Sequence, residues 1–131
     1  EFLYLRNLRP DRWPAGDPEL YVAVGPYGDI DGSRTKAFMM AHADDPAMKP
    51  LFEISFGKRP AEELYDVKND PDQVVNLAAD PRFAKVKAEL GRKVDTWMRE
   101  TNDPRADDPA TNVWDTYPYF GGKAKALRDG R

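Results

Sequence analysis

The chain has 131 residues, no cysteine, and 20 basic against 23 acidic side chains, for a net charge of −3. That length suits one domain with a real core, the lack of cysteine excludes disulfides and thiol catalysis within these residues, and the mixed charge argues against nucleic acid, whose binders carry a basic face. No apolar run approaches the roughly 20 residues that cross a bilayer as a helix, so membrane is not an expected partner either.

The chain opens in strand-like sequence without an initiator Met, and this reads as a fragment boundary. Phe2 to Leu8 alternates as a strand, with Phe2, Tyr4 and Arg6 on one face and Leu3, Leu5 and Asn7 on the other. Both faces are partly apolar, which predicts a helix on one side and a further partner on the other. Arg9 to Pro18 is dense in turn formers and predicts a loop; Tyr21 to Val24 could add a strand, and Gly25 to Ser33 returns to loop. Ser33 predicts an N-cap for a short helix through His42, with Ala37, Met40 and Ala41 on its inner face. Asp45-Pro46 predicts the opening of a second helix reaching Phe56, with Leu51, Ile54 and Ser55 at helical spacing and Gly57 as its stop. Leu64 to Val67 then reads as a strand and Lys68-Asn69-Asp70-Pro71 as its turn.

Pro81 to Glu100 has the clearest pattern. Asp80 is a good N-cap and Pro81 suits the first helical position, where its missing N–H costs nothing. Phe83, Val86, Leu90, Val94, Trp97 and Met98 recur in steps of three and four and give one apolar stripe. Glu89 with Lys93 and Asp95 with Arg99 are spaced as ion pairs, and Gly91 weakens the helix by about 1 kcal/mol relative to Ala. Asn102 and Pro104 end it. The fold class expected is α+β: a small antiparallel sheet with this long amphipathic helix across one face, plus long Pro-rich loops. The core spans about 1–103. Residues 104–131 form an extended tail whose Trp114, Tyr117, Tyr119 and Phe120 are too apolar to hang free; its short basic run Lys123, Lys125, Arg128 and Arg131 reads as solvated.

Chemistry is scarce in these residues. Ser33 and Ser55 lack any nucleophile motif, and His42, the single histidine, cannot make a zinc site or a triad alone. Asp29-x-Asp31-Gly32 resembles the start of a calcium loop. An EF-hand needs Gly at position six and Glu at position twelve, whereas here Gly falls at four and Met40 at twelve. No catalytic or metal residue is therefore expected within the chain.

Glu62-Glu-Leu-Tyr-Asp66, Asp70-Pro-Asp-Gln73 and Asn76-Leu-Ala78 resemble the C-terminal subdomain of sulfatases, which typically carries Glu-Leu-Tyr-Asp-Leu, Asp-Pro-x-Glu and Asn-Leu-Ala. Asp80-Pro-Arg-Phe-Ala84, Trp97-Met-Arg-Glu-Thr-Asn-Asp-Pro104, and the N-terminal segments Tyr4–Asn7, Pro10–Pro18 and Gly28–Gly32 are similar to the heparan N-sulfatase (N-sulfoglucosamine sulfohydrolase) branch. The resemblance implies a parent enzyme hydrolysing sulfuric esters or sulfamates, with formylglycine and calcium in a catalytic domain absent from these residues, where no Cys/Ser-x-Pro-x-Arg occurs. It implies no cofactor in this fragment, a fragment inactive on its own, and a parent that is periplasmic or secreted. The expected partners are the chain's own N-terminal catalytic domain and a sulfated saccharide.

In such enzymes the C-terminal subdomain packs on the catalytic domain and helps to wall the substrate pocket. The loops Arg9–Pro18 and Gly28–Lys36 are the candidates for that wall. Arg12 and Lys36 could meet sulfate or uronate groups, His42 could add to a site completed elsewhere, and Trp13 could stack on a sugar or simply anchor its loop. The family places strand sequence before the Tyr-x-Arg-Asn segment; without it, the first strand would present an open edge inviting dimerisation. Two other readings stay open, a stand-alone carbohydrate-binding module and a protein-interaction module.

Overall fold

The computed structural model describes residues 1–19 and 25–116. The expected strand at Tyr21–Val24, the aromatics Tyr117, Tyr119 and Phe120, and the basic run near the end lie outside them. The described residues divide into two compact units, 1–10 with 60–116, and 11–19 with 25–59.

The first unit is α+β. Strand β1 (Phe2–Arg6) pairs antiparallel with β2 (Glu62–Asp66), with Tyr4 opposite Leu64. The flanking bonds Val67 N–H to the Glu1 carbonyl and Asn7 N–H to the Ala61 carbonyl show that the odd-numbered residues of β1 exchange hydrogen bonds with β2. Even-numbered residues of both strands therefore turn their backbone groups outward.

On β2 those outward groups are consumed locally. Asn76 Oδ1 accepts from Leu64 N–H at 3.0 Å and Asn76 Nδ2 donates to the Glu62 carbonyl at 3.3 Å. Leu77 N–H donates to the Leu64 carbonyl at 2.8 Å, and Asn69 and Asp70 N–H donate to the Asp66 carbonyl. The intervening turn is tied by Asp70, whose carboxylate accepts from Val74 and Val75 N–H at 3.2 and 2.8 Å. The Asp66 side chain accepts from Lys68 N–H and Asn69 Nδ2. Buried or half-buried backbone must find partners, and Asp66, Asp70 and Asn76 supply them.

Asp80 caps the next element as expected, accepting from Arg82 N–H at 2.9 Å. The first turn, Pro81–Phe83, is a 3-10 turn, and the α-helix proper, called α3 once the two shorter helices below are counted, is Ala84–Glu100. It lies against the Phe2–Tyr4–Arg6 face. Phe83 meets Phe2 edge-on with centroids 5.6 Å apart, and Leu64, opposite Tyr4, is fully buried. Trp97 departs from the expected stripe: it is 59% exposed, while Met98 beside it is buried. A helix advances 100° per residue, so 94 and 98 complete the inner stripe and 97 falls at its margin. Asp95 also departs, pairing with Arg6 and not Arg99, because its face turns to the strand. Glu89 and Lys93 do pair, at 3.1 Å. Gly91 is explained by close approach: a Cβ there would lie 3.2 Å from Arg6 Nη2.

The second unit is built on rings. Ala15, Tyr27 and Phe56 are buried, with Trp13, Ile30, Met39, Met40 and Phe52 packed on them. Tyr27 is the centre, 5.0 Å from Phe56, 5.9 Å from Phe52 and 6.0 Å from Trp13 between centroids. Helices α1 (Arg34–Ala41) and α2 (Lys49–Phe56) carry the rest, and Ser33 caps α1 by accepting from Lys36 N–H.

Three sequence expectations change here. The inner face of α1 is Lys36, Met39 and Met40, with Ala37 and Ala41 exposed. The inner face of α2 is Phe52 and Phe56, with Leu51 and Ile54 53% and 42% exposed; the rings, larger than the aliphatics, claim the core. Helix α2 starts at Lys49 and not Asp45, because residues 46–48 form a turn that places Pro50 near the helix start, where its lack of N–H is harmless. Gly57 ends α2 in extended conformation at φ −67°; it is required because a Cβ would sit 2.5 Å from the Glu53 carbonyl oxygen.

Candidate functional site

The four residues singled out from sequence, Arg12, Trp13, Lys36 and His42, all belong to the second unit. Arg12 is exposed and engaged in a contact of its own.

Trp13 is half-buried against the ring cluster, and Lys58 Nζ lies 4.9 Å from its ring centroid. A cation over an aromatic face is a favourable contact of about 0.5–1 kcal/mol at an exposed site. Trp13 thus has Tyr27 edge-on at 6.0 Å and Lys58 over a ring face. Sequence reading passed over Lys58, which lies far from Trp13 along the chain and gives no local signal.

Lys36 is buried. Its ammonium donates to the Tyr27 and Ile30 carbonyls at 2.8 and 2.7 Å, which closes the Tyr27–Ile30 turn onto α1. The geometry around that turn is exacting. Tyr27 has φ +51°, and Gly16, at φ +90°, approaches so closely that a Cβ would meet Gly28 N at 2.7 Å. Burial pushes the Tyr27 phenol up, with Glu53 and Asp17 adding to the shift. The aspartate-rich loop thus meets a cation, but it is the chain's own ammonium.

His42 closes α1. Its Nδ1 is 2.7 Å from Asp45 Oδ2, and its ring lies 4.3 Å from that of Phe38 between centroids. The Asp45 partner was readable in the sequence from its i, i+3 spacing and was missed.

A second polar assembly joins strand to helix in the first unit. Tyr4 O–H donates to Glu62 Oε1 at 2.7 Å, Lys87 Nζ donates to Glu62 Oε2 at 3.0 Å, and Arg6 reaches Tyr4 Oη, the Gly91 carbonyl and Asp95. Burial raises the Tyr4 phenol. The Tyr4 and Lys87 hydrogen bonds hold Glu62 below the usual carboxylate range, and Arg6 does the same for Asp95. Each group here is matched by its neighbour, as in a structural brace. On the opposite sheet face Tyr65 O–H donates to the buried Glu63.

Among the described residues no three His, Cys, Asp or Glu side chains are arranged to hold a metal ion, and the sequence offers no residue in a Cys/Ser-x-Pro-x-Arg setting. The residues present therefore do not fit a calcium–formylglycine centre.

Comparison with known proteins places the chain. An ulvan-active sulfatase of Formosa agariphila is 38% identical over 106 residues, 78% of this chain and 16% of that protein. Human N-sulphoglucosamine sulphohydrolase is 48% identical over 42 residues, 32% of this chain and 8% of that enzyme. The chain is of sulfatase-family origin. A Delta 4,5-hexuronate-2-O-sulfatase of Bacteroides thetaiotaomicron adds 43% identity over 67 residues, 47% of this chain and 14% of that sulfatase. The chain spans only 8% to 27% of the curated relatives it matches, which is consistent with a sulfatase C-terminal subdomain. No family model matches, and no solved structure gives a significant match. In the segment after β2, Asn76 closes the outward side of the strand, and the Asp66 and Asp70 carboxylates tie the turn that follows.

Proposed function

We propose that this chain is the C-terminal accessory domain of a sulfatase-family hydrolase acting on a sulfuric ester or sulfamate, in a sulfated sugar. It packs on a catalytic portion of the same polypeptide and helps to wall the substrate pocket through the Arg9–Pro18 and Gly28–Lys36 loops. One observation carries the reading: the family-like polar residues Asp66, Asp70 and Asn76 are consumed in backbone hydrogen bonds, so that the segment builds structure and leaves chemistry elsewhere. The names of the relatives, which mention N-sulphoglucosamine, ulvan and hexuronate, support a sulfated saccharide as substrate. Formylglycine and calcium would then belong to the catalytic portion.

The test is a pair of assays on sulfated oligosaccharides, one with this chain and one with the intact polypeptide its gene encodes. The expected result is no turnover by the chain alone and turnover by the intact protein, with Arg12→Ala raising KM more than it lowers kcat. Turnover by the isolated chain would overturn the accessory role. An inactive intact protein without a Cys/Ser-x-Pro-x-Arg would overturn the sulfatase reading.

A further inference from the structure

Phe38 lies outside the ring cluster of its unit. It sits on α1 one turn before His42, 54% exposed, with the imidazole tilted 36° against it. An exposed phenyl ring gains nothing from water, and here an oriented polar ring lies beside it, with centroids 4.3 Å apart. The orientation comes from Asp45. A carboxylate only accepts, so His42 Nδ1 donates to it across 2.7 Å. Nε2 has no partner among the described residues, and the imidazole is 43% exposed. If the ring is neutral, Nε2 accepts; if it is protonated, Nε2 donates. A sugar hydroxyl can answer in either case, because it is both donor and acceptor.

We propose that Phe38, His42 and Asp45 form a contact site for the uncharged part of a saccharide ring, with the C–H face of the sugar on Phe38 and a ring hydroxyl on His42 Nε2. The choice of a saccharide rests on the sulfatase reading above; the location and polarity rest on this geometry. Small-molecule sites pair apolar surface with a few aimed polar groups, and this cluster supplies one of each. The sign of its charge narrows the ligand. Asp45 brings a negative charge to the cluster, which opposes a sulfate or a uronate carboxylate at the same place. The site therefore takes hydroxyls and leaves the anionic group of the sugar to be held elsewhere.

The experiment is an NMR titration of the 131-residue chain with an N-acetylglucosamine–glucuronate disaccharide and with its N-sulfated counterpart. His42 is the only histidine, so its imidazole signals form a single reporter. Both disaccharides should move the His42 and Phe38 ring signals, with dissociation constants within about twofold of each other and little changed by added salt, since no ion pair is screened. Phe38→Ala should weaken binding about tenfold, equivalent to ~1.4 kcal/mol, and Asp45→Asn should weaken it less, by freeing the imidazole. Both sites are exposed, and retained amide dispersion of the Tyr27 cluster confirms that each variant folds. Absence of His42 shifts at saturation, shifts only with the sulfated sugar, or unchanged binding by Phe38→Ala would each overturn the site. Failure of the sulfatase reading shows separately, in the activity of the intact polypeptide, while the His42 titration reads the site alone.

Discussion

The two units solve the same problem by opposite means. In the unit of β1, β2 and α3, backbone groups are satisfied by short polar side chains close in sequence: Asp66, Asp70, Asn76, Asp80 and Asp103 each accept from an N–H within a few residues. In the unit of α1 and α2, order comes from three rings packed around Tyr27 and one long side chain, Lys36, reaching back to two carbonyls. Local satisfaction writes itself into the sequence as a recognisable string. Satisfaction at a distance does not, since a lysine that braces a turn looks the same in sequence as one that awaits a sulfate.

That contrast can be broken by mutation. Phe56→Ala should cost about 3–5 kcal/mol, because the ring is 2% exposed and touches both Tyr27 and Phe52. Hydrogen exchange should show the loss first in residues 25–57; uniform loss across both units would mean that they unfold as one. Leu64→Ala should cost about 2–4 kcal/mol, with exchange rising first in β1, β2 and α3. Lys36→Met keeps the apolar stem and strands the half-buried Ile30 carbonyl, at about 1 kcal/mol, the lower end of the cost of an unmet partner. The Tyr27 carbonyl suffers less, since Ile30 N–H also donates to it. An unchanged melting temperature would show that the ammonium is not a brace.

Smaller effects sharpen the account of the first unit. Gly91→Ala would ordinarily gain about 1 kcal/mol of helix propensity. The 3.2 Å approach to Arg6 Nη2 should offset it, so no stabilisation is expected in a denaturant titration. Acid should loosen the brace between β1 and α3. Glu62 and Asp95 are both held below their usual values of 4.5 and 3.8. Their contribution is thus complete above those values and is lost as pH falls through the lower folded-state range. Asp95→Asn should reduce the slope of stability against pH there; an identical slope would remove Arg6–Asp95 from the account.

The same contrast explains what the sequence disclosed. The long helix, its Asp80 cap, the strand at Leu64, the turn after it and the Ser33 cap were legible, because each rests on residues within a turn of one another. The inner faces of α1 and α2 were not. Their apolar residues lie on several sides, and ring packing between distant segments decides which are buried. Spacing alone points Trp97 inward, yet its position at the margin of the stripe leaves it 59% exposed. The candidate residues were found by type, but the carbonyls around Lys36 and the cation over Trp13 depend on contacts that no spacing encodes.

Asn76 has one further consequence. By offering an acceptor and a donor to Leu64 N–H and the Glu62 carbonyl, a single amide side chain does the work of a neighbouring strand and terminates the ladder. The sheet is thereby polar in the sense of a crystal with one growing face. Its β2 side is closed, while Phe2, Tyr4 and Arg6 turn their backbone groups outward and have no strand beside them among the described residues. Any strand that extends this sheet must add beside β1, in the register those three residues set.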